Sequence, residues 1–351
     1  MDNLLYEIWL NTIDGIGPYI VRNLLKSFGS ARAIYQGNLS ELMQVHRVGI
    51  KKAELIVNNR NLDSAKKLME YCVHHDILVI SCLHSLYPPA LHQYPQSPTL
   101  LYVRGNLQPL AQMKSAAIVG ARRCSEYGKE TTTTLAHNLS RQNIAIISGM
   151  AKGIDSYAHT AAIKIGGYTV AIIGTGVERC YPSEHQELMN RIIETGAVIS
   201  QFPPLSEVPK QNFIKRNKLI AMLSDQIFIM EAAKSSGSLY TAQCGFEYQK
   251  EVFALPGSVY DPLSEGSNNL IAQGAKIYLP ITKVKEPSHC TTNSSAHPLA
   301  KQVIKLLIKS PLRIENISSQ LKCEYDEIQE TLLTLELEDQ IQCISGVVRL
   351  M

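Results

Sequence analysis

The sequence predicts an α/β protein, with a doubly wound, Rossmann-like, mostly parallel sheet at its centre, a helical domain before it and a winged helix after it. Three observations predict this. Between residues 116 and 279, short apolar runs rich in Ile and Val alternate with helical patterns, as expected for parallel strands buried on both faces. Most of those runs end in glycines, hydroxyls or cations, the residue types that gather where a doubly wound sheet binds ligands. On either side of this region, apolar residues recur at helical rather than alternating spacing.

Residues 1–72 read as a helical domain, with Leu5, Ile8 and Trp9, then Ile20, Leu24 and Leu25, at helical spacing. Ile13-Asp14-Gly15-Ile16-Gly17-Pro18 and Val45-His46-Arg47-Val48-Gly49-Ile50 both resemble a helix–hairpin–helix (SAM-like) motif. In that motif a glycine turn offers backbone N–H groups to a DNA phosphate. The second stretch has Arg47 at the usual first glycine, and the pair could equally be a scaffold whose glycines only make turns. Residues 73–282 read as the sheet domain. Strands are expected at Asp76–Ser81, Thr99–Val103, Ala116–Val119, Ile144–Ile147, Thr169–Ile173, Ala197–Ser200, Gln226–Met230, Glu251–Leu255 and Lys276–Leu279. Helices are expected at 127–141, 156–165 and 186–194. A polar, turn-rich linker follows at 283–297. Residues 298–351 then pattern as three helices, Pro298–Lys309, Ile314–Leu321 and Tyr325–Leu337, and a hairpin over Gln340–Leu350. A winged helix often reads DNA. Here the third helix and its flanks carry Glu324, Asp326, Glu327, Glu330, Glu336, Glu338 and Asp339, so the expected partner is a protein.

The chain has 351 residues, 45% hydrophobic and 19% charged, enough for two or three packed domains. A formal charge of +3 announces no nucleic-acid partner, so any basic surface is a local patch. The eight cysteines include no C-x-x-C pair, which argues against a zinc site or a redox couple. With no basic signal-peptide start and no bilayer-length apolar run, the expected setting is cytoplasmic, without membrane insertion.

In a doubly wound sheet the strand ends meet at one edge. That edge should gather Gly120-Ala121-Arg122-Arg123, then Ser148-Gly149-Met150-Ala151-Lys152-Gly153-Ile154-Asp155, then Gly174-Thr175-Gly176. It should also gather Lys215-Arg216-Asn217-Lys218 and Ser235-Ser236-Gly237-Ser238. Glycines let backbone N–H groups approach an anion, a helix start adds partial positive charge, and Arg122, Arg123, Lys152, Lys215, Arg216 and Lys218 add full charges. The pattern suits a multi-phosphate cradle. A dinucleotide loop is not matched, since Arg179 stands where the third glycine belongs. The P-loop spacing fails at Gly120 to Lys129, where Glu130 replaces the magnesium-binding hydroxyl. No cofactor or metal is therefore expected. Asp155 reads as a cap at its helix start. Phe213, Tyr240 and Tyr260 are open between base stacking and core packing.

Ala117-Ile118-Val119-Gly120-Ala121-Arg122, Ser148 to Asp155, Tyr181-Pro182, Arg216-Asn217-Lys218, Ser236-Gly237-Ser238 and Pro256-Gly257-Ser258 together resemble the DprA/Smf family of DNA-processing proteins over roughly residues 76–280. The resemblance implies a single-stranded DNA-binding recombination mediator of natural transformation and competence. Such proteins protect incoming strands, load the recombinase RecA and work as homodimers, and they are not known as enzymes. It implies DNA contacts at Arg122, Gly149, Lys152, Gly153, Arg216, Asn217, Lys218, Ser236, Gly237 and Ser238. Lys152 and Lys218 stand where the family usually has arginine, which keeps charge and gives up bidentate phosphate geometry. The implied dimer contact falls on Asn268 to Gln273, although Leu270 and Ile271 could instead pack on the sheet. Two other readings remain: a nucleotide-binding sensor, and a nucleoside-monophosphate hydrolase using Ser236 to Thr241 with Glu247.

Overall fold

Apolar runs of four to six residues build most of a nine-stranded sheet in the computed structural model, which describes residues 2–280, 298–308, 310–323, 325–337, 340–344 and 346–350. The expected linker at 283–297 lies outside the described residues. The chain divides into two compact units, Met1–Pro280 and Ile281–Met351.

The first unit opens with six helices: α1 (Asp2–Thr12), α2 (Pro18–Phe28), α3 (Ala31–Gln36), α4 (Leu39–Met43), α5 (Ile50–Asn58) and α6 (Asp63–His74). Trp9 is the centre of their core, fully buried, with its indole N–H donating to the Asn59 carbonyl at 2.7 Å. Arg47 adopts φ 64°, the left-handed conformation that favours glycine, and its guanidinium lies over the Tyr19 ring. The second hairpin turn therefore forms despite the substitution. The ammonium of Lys52 donates to the Arg47 carbonyl and closes that turn. This helical layer is bonded to the sheet layer. Thr99 donates to Asn11 at 2.6 Å, and Arg22 donates to the hydroxyls of Tyr87 and Ser97.

The strands and α-helices that follow alternate from β3 onward: β1 (Leu78–Ser81), β2 (Leu100–Gly105), β3 (Ser115–Val119), α7 (Glu126–Arg141), β4 (Ala145–Ser148), α8 (Ile154–Lys164), β5 (Thr169–Ile172) and α9 (Gln186–Thr195). The unit continues through β6 (Ala197–Ser200), α10 (Gln211–Leu223), β7 (Gln226–Ile229), α11 (Ser238–Glu247), β8 (Glu251–Ala254), α12 (Glu265–Ala272) and β9 (Lys276–Ile277). The strand order is β1-β2-β6-β5-β4-β3-β7-β8-β9. From β6 to β9 all pairings are parallel, whereas β1 and β2 join the edge antiparallel. The order reverses at β3, whose neighbours are β4 and β7, so the topological switch point lies between β3 and β7. Residues alternate between the two faces. Ala117 and Val119 enter one core, while Ala116 and Ile118 enter another that α7 and α8 cover through Leu135, Leu139 and Ala158.

The second unit contains α13 (Pro298–Leu307), β10 (Leu312–Arg313), α14 (Ile314–Leu321), α15 (Tyr325–Leu337), β11 (Ile341–Ile344) and β12 (Val347–Leu350). Its core includes Leu299, Val303, Ile317, Ile328, Leu332 and Val348. A short strand that the pattern did not reveal, β10, pairs with β12 and completes a three-stranded wing. Glu327 and Glu336 are exposed on α15. Glu324, Glu338 and Asp339, and the side chains of Asp326 and Glu330, lie outside the described residues. Among the described residues no helix is long and apolar enough to cross a membrane.

Candidate nucleic-acid interface

The parallel strands deliver their loops to one edge, and three of these loops meet around a pocket. The β3 loop contributes Arg122, the β4 loop contributes Gly149, Ala151 and Lys152, and the β5 loop contributes Gly174 and Thr175. Helix α10 closes the pocket with Phe213 and Arg216, and Tyr181 and Pro182 form its rim. The rings of Tyr181 and Phe213 lie 5.5 Å apart at 51°. Three cations and an aromatic pair thus share one cavity, and among the described residues no carboxylate lines it.

Two backbone donors of the β4 loop are already taken. Asp155 Oδ2 accepts from the N–H groups of Gly149 and Ala151, at 3.1 and 3.3 Å. This corrects the expected helix-capping role. The carboxylate reaches back to fasten the loop before α8, and Gly153 at the helix start receives no side-chain cap. It also corrects the role expected of Gly149. Its N–H serves Asp155, its carbonyl accepts from Arg216, and a Cβ there would strike the Arg216 guanidinium at 2.3 Å. Gly149 provides space rather than a donor. Gly153 has φ +75°, and a Cβ there would meet the Ala121 carbonyl, so it serves the close approach of the β3 and β4 loops.

Arg216 is buried. Its Nη1 donates to the carbonyls of Gly149 and Ile172, and its Nε donates to Asn217 Oδ1. Among the described residues Nη2 has no such partner, which leaves it for the pocket. Burial pushes Asp155 above and Arg216 below their usual values, and each shift is opposed most by the charge of the other. Close by, His159 is fully buried and burial lowers its pKa to about 3, helped by the positive charges of His185 and Arg216. Thr169 Oγ1 donates to the Ile146 carbonyl and lies 2.7 Å from His159 Nδ1, which assigns the imidazole proton to Nδ1.

Lys152 is exposed but paired with Glu184, whose carboxyl is held below its usual range by that ammonium. A phosphate reaching Lys152 would exchange with a carboxylate, at small cost for an exposed pair.

A second buried carboxylate occupies the switch point. Glu231, at the end of β7, accepts from the N–H of Ser125 at 2.8 Å and from its hydroxyl. Ser125 also caps α7 by accepting from Gly128 N–H, so this carboxylate sits at a helix start. A Cβ at Gly128 would meet the Glu231 carboxylate at 2.4 Å. The chain thereby supplies its own anion to the place where this fold commonly holds a ligand phosphate.

Of the residues expected at the interface, Arg122, Gly149, Lys152 and Arg216 come together, with Gly153 directly behind them. The rest sit elsewhere. Asn217 accepts from Arg216 and donates to the Gly237 carbonyl, bridging α10 to the turn before α11. The hydroxyls of Ser236 and Ser238 face each other at 2.8 Å. Lys218 lies over the Tyr240 ring, and Lys215 and Lys218 line a different groove. The single cradle expected from the strand ends is therefore divided by α10. Tyr260 is exposed away from the pocket lining, so Phe213 is the one aromatic candidate placed in it. Tyr181, which joins Phe213, was legible only as part of its Tyr-Pro pair. Ser236 to Thr241 lead into and begin α11 and Glu247 ends it, so the two parts of the hydrolase pattern share one helix, with Thr241 and Glu247 about 9 Å apart along its axis. Among the described residues no cluster of three metal-ligating side chains forms.

Comparison with known proteins agrees with this geometry. A family model described as DNA recombination-mediator protein A matches residues 78–288. A SAM-like helix-hairpin-helix tandem matches residues 10–59, and a DprA winged helix domain matches residues 287–346. The chain belongs to the DprA/Smf family. Among its relatives, Protein Smf of Synechocystis sp. is 31% identical over 284 residues, covering 80% of this chain and 71% of that protein. DNA processing protein DprA of Streptococcus pneumoniae is 39% identical over 197 residues, covering 56% of this chain and 69% of that one. A crystal structure of the Streptococcus pneumoniae DprA superposes with a TM-score of 0.68 at 31% identity, over 78% of this chain and 94% of that one. A Helicobacter pylori DprA structure, solved to explain its single-stranded DNA binding mode, gives 0.53 at 29% identity, over 57% and 90%. The DprA/Smf assignment spans the helical layer, the sheet and the wing.

Proposed function

We propose that this chain is a single-stranded DNA-binding recombination mediator that holds the strand and performs no chemistry on it. The observation that carries this reading is the pocket lining: Arg122, Lys152 and Arg216 beside the Tyr181–Phe213 pair, with no carboxylate among them. The N–H groups of Gly149 and Ala151 in the pocket already serve Asp155, and that of Ser125 serves Glu231. The side-chain cations and aromatic faces suit a sugar–phosphate backbone and a stacked base in any sequence. The Helicobacter pylori relative binds single strands, which supports the same substrate here.

In this reading the protein works in the cytoplasm during natural transformation, covers incoming single strands and passes them to RecA. It acts as a homodimer. The β9 edge of the sheet supports that, because Ile277 and Leu279 are exposed there while Leu270 of α12 is buried in the core. The implied contact therefore falls on the edge and the outer face of α12.

The test is a gel-shift titration with single- and double-stranded oligonucleotides over a salt series. Lys152→Ala is expected to weaken single-strand binding for every sequence and to reduce the salt slope by about 0.7. An unchanged affinity and slope would remove the pocket from the reading. Adding RecA to strands coated with single-strand-binding protein checks the mediator role, through faster filament assembly when this chain is present.

A further inference from the structure

A second cavity lies beside the pocket, on the other side of α10. Lys215, Lys218, Leu219 and Met222 line it, at the spacing that places side chains on one helix face, whereas Phe213 and Arg216 of the same helix line the first pocket. The cavity is a groove of about 430 Å3, a size that accommodates a nucleotide-sized ligand. Its apolar walls include Ile16 and Pro18 from the helical layer and Phe202 from the β6 loop. Among the described residues no carboxylate lines it.

Two features of this groove ask for a ligand. The Nε2 of Gln201, on the β6 loop, is shut off from solvent and has no hydrogen-bond partner. A buried donor left in that state is unfavourable, and a ligand in the groove supplies an acceptor when the amide turns outward. Lys215 is exposed, and neither it nor Lys218 forms an ion pair among the described residues. The groove and the pocket also lie at neighbouring strand ends, one on each side of α10. The pocket stands at the end of β5 and the groove at the end of β6, and these strands are parallel neighbours with Ile172 beside Ile199. Neighbouring strands lie about 4.8 Å apart.

We propose that this groove is a second subsite for the same single strand. Lys215 neutralises the phosphate of a nucleotide adjoining those in the pocket. The base of that nucleotide rests on the apolar wall of Ile16, Pro18 and Phe202, and Gln201, its amide turned outward, donates to an acceptor on the base. The helical layer thus contributes directly to the strand path through the side of its first hairpin.

This proposal rests on the reading that the pocket binds a single strand, and the experiment separates the two. Affinities of oligothymidylates of increasing length are measured for the unaltered chain, Lys152→Ala and Lys215→Ala. Lys152→Ala is expected to weaken every length. Lys215→Ala should leave the shortest strands bound as before and weaken longer ones by roughly tenfold, lowering the salt slope by about 0.7 for the longer strands alone. In parallel, a long strand carrying 5-iodouracil is photocrosslinked, and an adduct on the peptide containing Phe202 is expected beside one on Tyr181 or Phe213. Equal weakening at all lengths by Lys215→Ala, or none at any, overturns the subsite. So does crosslinking at Tyr181 or Phe213 with none near Phe202. A loss confined to Lys215→Ala, with Lys152→Ala silent, overturns the pocket reading and with it the shared strand path.

Discussion

The switch point and the neighbouring pocket are built from the same parts and do opposite things. Both are loops at the carboxyl edge of the sheet, and both are fastened by a buried carboxylate. At the switch point Glu231 accepts from one N–H and one hydroxyl, both of Ser125. In the pocket Asp155 is satisfied by two backbone N–H groups and by the charge of Arg216, which also lines the cavity. The first arrangement closes a ligand site with the chain's own anion. The second leaves a cation whose remaining donors face a ligand. The difference teaches that a general rule for where ligands bind on this fold is set aside by a single well-placed glutamate. It also teaches that strand binding and the folding of the β4 loop share one charge pair.

Breaking that shared pair should have the largest effect. Arg216→Ala strips a buried carboxylate of its counter-charge and is expected to cost roughly 3–5 kcal/mol in urea unfolding, together with loss of strand binding. Loss of binding at an unchanged urea midpoint would show that Arg216 is not what balances Asp155.

The next effect is set by pH. His159 titrates near 3 in the folded protein and near 6.5 when unfolded. The native state then binds fewer protons than the unfolded one below pH 6.5. Stability from this group is complete above that value and falls as pH drops towards 3, by about 1.4 kcal/mol per unit. Urea midpoints measured across that window should show the slope, and His159→Gln should flatten it. Because His159 neighbours the Asp155 side, acid is expected to raise amide exchange in residues 149–155 before residues 120–125.

Glu231→Gln should have the smallest effect, about 1–2 kcal/mol from one acceptor weakened against Ser125, with single-strand affinity unchanged. Weakened binding in this variant would mean that the two loops are coupled more tightly than their separate carboxylates indicate.

Much of the fold was legible because its strands are buried on both faces. The run Ala197–Ser200 matches β6 residue for residue, and the runs from 116 to 255 lie within one residue at each end of their strands. The antiparallel edge of β1 and β2 was not, since sequence spacing states that a strand exists and not which neighbour it takes. Two-residue β10 is too short to show a period. At the site, Arg122, Lys152 and Arg216 were legible as cations at strand ends. Their prior commitments were not. Arg216 and Gly149 are 67 residues apart, and Ser125 and Glu231 are 106 apart. No local pattern records that a glycine's N–H already has an acceptor.

The contact between Gly128 and Glu231 also has a meaning for protein engineering. A side chain at position 128 displaces the Glu231 carboxylate, which fills that space and is held there by Ser125. The two positions therefore behave as one unit, and a library that varies either alone samples mostly clashes or voids. Varied together, they are a removable plug over a helix start. Shortening the glutamate would leave the Ser125 N–H and hydroxyl as an empty receptor for a small anion, on a scaffold whose strand-binding pocket lies elsewhere.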